Sequence, residues 1–397
     1  MHRQKVVAVL FGGRSVEHEI SIISALQLIG ALDTTRYTPV PVYVAQDGAW
    51  YTGDALFDRA FYQDLPGSLK QVDRVTLLPL PGVGGLSRLD RRSRWLGRAK
   101  ADTIAIDVFF PVFHGTYGED GSMQGLFELA DVVYTGSGVL GSAMGMNKYV
   151  AKCFARSQDV PVLPGELVGK HELARGLAAT RRRVAAAMQY PLFVKPCNLG
   201  SSIGIGRADD DRGLDAALLR VFEVDSQALV EPCVPRPFEV NVAVLGGDGA
   251  RASVLEIPLV EDGGILGYEE KYLRKGGSKG ASIAGGTAGT ARVIDPVDLP
   301  ASFKLKAQEY AIRMFERLQC SGIARVDFIC TSSDGEMYFN EINTLPGSLA
   351  YYLWAESQPP LLFTDLINIV IERAELAKEQ SRELRRSFGF RSLAVHP

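Results

Sequence analysis

Val6 to Phe11 is an unbroken apolar run that stops at Gly12-Gly13, the pattern of a parallel strand buried on both faces. A helix is expected from about Ser21, its N-cap, through ISIISALQLIGAL. Tyr37 to Val44 reads as a second strand and Ile104 to Phe113 as another, running into the loop HGTYGEDG. Between them, residues 46–102 are rich in glycine and proline and then basic, and read as an irregular hairpin or insertion with a solvated charge run. A second unit opens near Gly141, with a helix over Asn147 to Gln158, helical Arg-rich sequence around Glu172 to Met188, and strands at Pro191 to Lys195 and Ala228 to Glu231. The run EPCVPRP that follows is a candidate hinge. In the third unit, strands are expected near Glu239 to Leu245, Ser253 to Val260, Ala324 to Cys330 and Met337 to Ile342. Helices are expected over Pro300 to Arg317 and Leu361 to Gln380. The expected units are therefore 1–140, 141–233 and 234–397, and the alternation of strands and helices predicts an α/β protein.

Composition narrows the function classes. A chain of 397 residues with 46% hydrophobic and 22% charged content is that of a globular protein of two or three domains. Its net charge of −3 gives no bulk attraction to nucleic acid or an anionic membrane. No apolar run is long enough to span a bilayer, and the N-terminus reads as a strand, not a signal peptide. Five scattered cysteines (Cys153, Cys197, Cys233, Cys320 and Cys330) lack CxxC spacing and are expected as reduced thiols in a cytoplasmic protein.

Two patterns carry chemistry. The loop KPCNLGSSIGIG (Lys195 to Gly206) follows a strand, and its small residues allow backbone N–H groups to close around an anion. It lacks the Gly-Lys-Ser/Thr ending of a P-loop and does not match GxGxxG; a plain tight turn is the alternative. In IARVDFIC, Arg325 and Asp327 project from one face; in YFNEINT, Glu341 and Asn343 do the same. The intervening SSDG is a turn signal, so a hairpin would bring the two faces together. Two carboxylates and an amide oxygen are the hard-oxygen set that holds Mg²⁺ with nucleotide phosphates; a structural Arg–Asp–Glu network is the alternative.

Lys148, Lys195, the GSSIGIG loop, Glu231, Glu239 and the RVD…NEIN pair together resemble an ATP-grasp enzyme. Within that group, GGRSVEHEIS, HGTYGEDGSMQG, GMNK, KPCNLGSSIGI, EEKYL, ARVDF and NEINTLPG resemble the D-alanine–D-alanine ligase family, in the family's order and over nearly the whole chain. The resemblance implies a three-domain ATP-grasp architecture with α+β lobes behind an N-terminal Rossmann-like parallel-sheet domain. It also implies a cytoplasmic homodimer joined through the first domain. ATP is the implied co-substrate, with Mg²⁺ (or Mn²⁺), two ions, on Asp327, Glu341 and Asn343. Glu17 would hold the ammonium of the first D-alanine, with His114 beside it. Lys148, Lys195, Ser201, Ser202 and Lys271 would meet the phosphates. Glu231 would lie at the adenine hinge, and Glu239 on the ribose hydroxyls. Tyr272 would close a Glu17–Ser201–Tyr272 link, Arg325 would stabilise an oxyanion, and Gly347 and Ser348 would meet substrate.

The sequence departs from that pattern in two places. The run Ser348 to Trp354 is a few residues shorter than in most relatives, and Gly276 to Gly289 is glycine-rich and less acidic. Both fall where the second substrate is expected. An acceptor other than D-alanine (D-lactate, D-serine or a different amino acid) is the main alternative. A nucleotide-binding relative without activity is a second one, opposed by the full set of charged site residues.

Overall fold

The computed structural model describes residues 3–89, 102–200, 203–247, 249–259, 292–331 and 335–384. Three sheets organise them. The first has seven strands: β1 (Lys5–Gly12), β2 (Tyr37–Val44), β3 (Trp50–Thr52), β4 (Asp73–Leu77), β5 (Gly85–Arg88), β6 (Thr103–Ala105) and β7 (Val108–Pro111). Their order is β6-β5-β4-β3-β2-β1-β7, with β2, β1 and β7 parallel and the rest antiparallel. Alternate residues of β1 fill two cores: Val7, Val9 and Phe11 pack on one face, Ala8 and Leu10 on the other. Burial on both faces is why the run is apolar without alternation.

Residues 46–102, expected as a hairpin or insertion on the first unit, carry β3, β4 and β5 in their described part, which extend the first sheet antiparallel. Two expectations are corrected here. The strand expected over Ile104 to Phe113 is two strands, broken at Asp107, whose carboxylate accepts from the Val6 N–H at 2.7 Å and pairs with Arg3. The first helix, α1 (His18–Ala31), also starts earlier than expected, with Glu17 at its N-cap. Ser21 lies inside it, where its hydroxyl donates to the Val112 carbonyl (2.6 Å) and accepts from the Gly12 N–H (2.8 Å). That ties the helix to the ends of β1 and β7 and fixes where the following loops emerge.

Helices α2 (Ser122–Ala130), α3 (Val139–Met146) and α4 (Lys148–Ser157) lead out of the first sheet. Asn147 caps α4, its side-chain oxygen accepting from the Val150 N–H at 3.0 Å. The second sheet, ordered β10-β9-β11-β8, is antiparallel: β8 (Glu166–Gly169), β9 (Leu192–Pro196), β10 (Gly206–Ala208) and β11 (Gln227–Pro232). It packs on α5 (Ala178–Ala187) and α6 (Asp211–Val221). The third sheet, ordered β14-β13-β12-β15-β16, is also antiparallel: β12 (Phe238–Leu245), β13 (Arg251–Pro258), β14 (Arg292–Ile294), β15 (Ile323–Cys330) and β16 (Met337–Asn343). Helix α7 (Ala301–Arg317) covers one side of it through Phe303, Ala307, Ala311, Met314 and Phe315. The short α8 (Tyr351–Ala355) and long α9 (Phe363–Glu383) end the described chain. Trp354, Leu366, Ile367 and Val370 share one core with Val7, Val9 and Leu28. Residues expected in the last unit therefore complete the core of the first.

Candidate active site

A cavity of about 260 Å³ lies between the second and third sheets. Its apolar wall includes Leu163, Phe193, Ile203, Ile205, Phe238 and Ile257. Its charged lining is Lys148, Lys195, Glu239 and Glu341. A slot lined by aromatic and branched side chains together with ammonium groups suits a flat heteroaromatic ring joined to phosphates.

The cations are placed by neighbouring elements. Lys148, the first residue of α4, reaches the Leu199 carbonyl at 2.8 Å and the Glu341 carboxylate at 2.6 Å. Lys195, on β9, donates to Glu231 Oε2 at 2.8 Å and to Asn340 Oδ1 at 3.3 Å. Glu231 has no exposed surface, and its other oxygen is taken by Lys152. Glu231, expected at an adenine hinge, has its carboxylate committed to two lysines, and the next residue, Pro232, lines the cavity. Lys152 was not foreseen. Its spacing of four from Lys148 on a helix was the available signal, since i and i+4 share a face.

The hairpin of β15 and β16 forms as its alternation predicted. Asp327 sits opposite Glu341, and Arg325 opposite Asn343. Arg325 forks onto both oxygens of Asp327 at 2.7 Å, and Asn343 donates to Asp327 at 3.0 Å. The row continues across the sheet, with Asn241 opposite Asp327 and Glu256 opposite Asn241. Glu256 accepts from Asn241 (3.0 Å) and Tyr352 (2.8 Å) and pairs with Arg292 (3.3 Å). Among the described residues, no cluster of three or more His, Cys, Asp or Glu side chains could hold a metal alone. Two facing carboxylates and an amide fit a divalent cation that also takes oxygens from phosphates.

A second group lies on the first sheet. Glu17 is 5% exposed at the start of α1. Gly200 comes so close that a Cβ there would stand 3.1 Å from Glu17 Oε2, which brings the glycine-rich loop against the first sheet. Gly115, at φ +81°, leaves room for Ser15 and Glu17; a Cβ there would meet Ser15 Oγ at 2.3 Å. His114 is buried with Nε2 3.1 Å from Ser24 Oγ. Burial, and then the Arg325 guanidinium, push its imidazolium down to about 4, so the ring is neutral. Glu119, also unforeseen, accepts from the Gly115 N–H at 2.6 Å. Burial and the nearby Glu17 push its carboxyl up to about 8. A small cleft lined by Glu119, Lys148, Gly200, Glu341 and Asn343 joins this group to the metal-type residues.

Gly347 opens a tight turn after β16. Ser348, expected on substrate, is buried with its hydroxyl on Gln27 Oε1 at 2.5 Å. Ser348, Leu349 and Ala350 all have positive φ (47°, 55° and 48°), a conformation costly for residues with side chains. Ser201, Ser202, Lys271, Tyr272 and the stretch Gly276 to Gly289 lie outside the described residues.

Two antiparallel lobes that enclose a slot with lysines and paired carboxylates, behind a parallel-sheet unit, define the ATP-grasp class of ligases. The sequence matches the description "D-ala D-ala ligase N-terminus" over residues 6–137 and "D-ala D-ala ligase C-terminus" over residues 154–372. A D-alanine–D-alanine ligase of Chloroherpeton thalassium is 36% identical over 390 residues, covering 96% of this chain and 99% of the relative. One from a Methylobacterium species is 37% identical over 392 residues, covering 96% and 95%. Among solved structures, the D-alanine–D-alanine ligase of Coxiella burnetii superposes with a TM-score of 0.77 at 28% identity, covering 96% of this chain and 97% of that one. The VanG D-Ala:D-Ser ligase of Enterococcus faecalis superposes at 0.75 with 29% identity, covering 94% and 100%. The chain belongs to the D-alanine–D-alanine ligase family and is an ATP-dependent ligase. No helix among the described residues is long and apolar enough to cross a membrane.

Proposed function

We infer that this enzyme joins two D-alanine molecules into D-alanyl-D-alanine, driven by ATP, for peptidoglycan precursor synthesis. The observation that carries the reading is the cleft where Glu119, Lys148, Gly200, Glu341 and Asn343 meet, between a nucleotide-shaped slot and Glu17. A small carboxylate held there lies within reach of a terminal phosphate.

Glu17 holds the donor's ammonium. Neutral His114 orients the donor without repelling that ammonium. The donor carboxylate attacks the γ-phosphate in line, releasing ADP and forming an acyl phosphate. Lys148 and Lys195 neutralise the charge that develops on the phosphates, with Lys271 joining them. The acceptor's free amine then attacks the acyl carbon. Arg325 takes the oxyanion charge, and phosphate leaves with one oxygen of the donor carboxylate. Closure by Ser201, Ser202 and Tyr272 keeps water from the acyl phosphate. Glu239 binds the ribose hydroxyls.

Asp327, Glu341 and Asn343 would hold Mg²⁺ or Mn²⁺, as two ions, supplying charge neutralisation at the phosphates when bound. The enzyme acts as a cytoplasmic homodimer. A second reading, D-serine as acceptor, is favoured by the likeness to the VanG D-Ala:D-Ser ligase and by the short 348–354 segment. The test is ADP release with D-alanine alone, then with D-serine, D-lactate and other amino acids added, with products weighed by mass spectrometry. D-alanyl-D-alanine from D-alanine alone supports the first reading. No dipeptide alone, but a mixed product with D-serine, moves the answer to the second.

A further inference from the structure

Lys148 and Lys195 line the cavity, but a third lysine beside them does not. Lys152 lies one turn after Lys148 on α4 and is 4% exposed. Its ammonium pairs with Glu231 Oε1, while Lys195 holds Oε2 at 2.8 Å. The three charges therefore run in a chain, Lys152–Glu231–Lys195, and only the last opens onto the cavity. Other groups act from further off: Glu341 favours the charged Lys152, and Glu231 in turn raises the Cys197 thiol.

A phosphate entering the slot draws the Lys195 ammonium toward itself. With Lys195 as its sole partner, Glu231 would then be a buried carboxylate without compensation, and that penalty would oppose nucleotide binding. A second cation on the far side removes it. Burial alone would raise the Glu231 carboxyl; the two ammoniums hold it down to about 2, so it stays ionised.

We propose that Lys152 is a positioning residue for the nucleotide: by keeping Glu231 charge-paired, it allows Lys195 to be shared with the phosphates. The inference rests on the reading of this cavity as the ATP site.

ATP binding to the whole enzyme, measured by calorimetry between pH 5 and 7, tests it; burial lowers the Lys152 ammonium to about 8, so it is still charged over that range. Lys152→Met is expected to raise the Kd for ATP roughly tenfold or more at pH 7, while the KM for D-alanine stays within about threefold. The ratio of variant to wild-type Kd should shrink toward pH 5, because Glu231 can then take up a proton when Lys195 leaves it. Lys152→Arg keeps the charge and should stay within about threefold of wild type at every pH. Should Lys152→Met fail to fold, Lys152→Gln, which keeps a donor but no charge, is read the same way. An unchanged Kd for ATP overturns the proposal. So does a weakening whose ratio does not change with pH, since that marks a merely structural role. Wild-type enzyme that fails to bind ATP at all is a separate result, which removes the nucleotide reading and this inference with it.

Discussion

The site holds two sets of ion pairs that differ in kind. On the hairpin of β15 and β16, Arg325–Asp327 and Lys148–Glu341 are partly open, with side chains 8–23% exposed. In the Lys152–Glu231–Lys195 chain, every side chain is at most 6% exposed. The open pairs join charges that a phosphate and a cation can take over: each lysine or arginine holds a carboxylate that suits a metal. The closed chain has no such exchange at Glu231, whose two oxygens are both used inside the protein. Open pairs stand in for ligand, and the closed chain fixes where one of the ligand's cations stands. Substitutions should therefore separate turnover from stability between the two sets.

The largest expected effect is on turnover at the open set. Asp327→Ala or Glu341→Ala should lower it at least a few hundredfold, since a contact to developing charge is commonly worth about 3–4 kcal/mol. Near-normal turnover at saturating Mg²⁺ would show that these residues do not hold the cation. At the closed set the effect should fall on stability. Glu231→Ala leaves two ammoniums buried together and should cost roughly 3 kcal/mol in urea unfolding. Glu341→Ala should cost clearly less, its pair being the more open one. Equal losses from the two would erase the distinction.

A smaller effect concerns pH. Glu119 has a folded pKa of about 8, raised above its ordinary 4.5, so the folded state binds more protons than the unfolded one between those values. Its contribution is fully present below pH 4.5 and lost as pH rises through 8. His114 is lowered from 6.5 to about 4, so its contribution is present above 6.5 and lost as pH falls toward 4. The two oppose each other at acid pH, leaving Glu119 alone above pH 6.5. Stability should drop by on the order of 1–2 kcal/mol between pH 6.5 and 8, and Glu119→Gln should flatten that slope. A slope that persists in the variant would place the titrating group elsewhere.

Much of this was legible in the sequence where one period dominated. Arg325, Asp327, Glu341 and Asn343 stand at alternate positions in strands bounded by a turn signal, so their shared face followed from the pleat alone. The helix expected over Asn147 to Gln158 matches α4, which runs from Lys148 to Ser157. The rest required partners distant in the chain. Glu231 looks like a strand residue free to meet ligand until Lys152, 79 positions away, is brought against it. Glu119 reads as a solvated loop acid, and only burial beside Glu17 reveals otherwise. The antiparallel strands β3 to β6 are three to five residues long, too short for alternation to stand out from their glycine-rich surroundings. Ser21 resembles an N-cap by type, yet its hydroxyl is used on Gly12 and Val112, contacts no local pattern encodes.

The central claim is that a donor carboxylate held near Glu17 and His114 attacks the γ-phosphate, and that the acceptor amine attacks the acyl phosphate so formed. Oxygen transfer tests it most directly. With D-alanine carrying ¹⁸O in its carboxylate, mass spectrometry of the released phosphate should find one labelled oxygen for each D-alanyl-D-alanine formed. Dipeptide formed together with wholly unlabelled phosphate would contradict the claim.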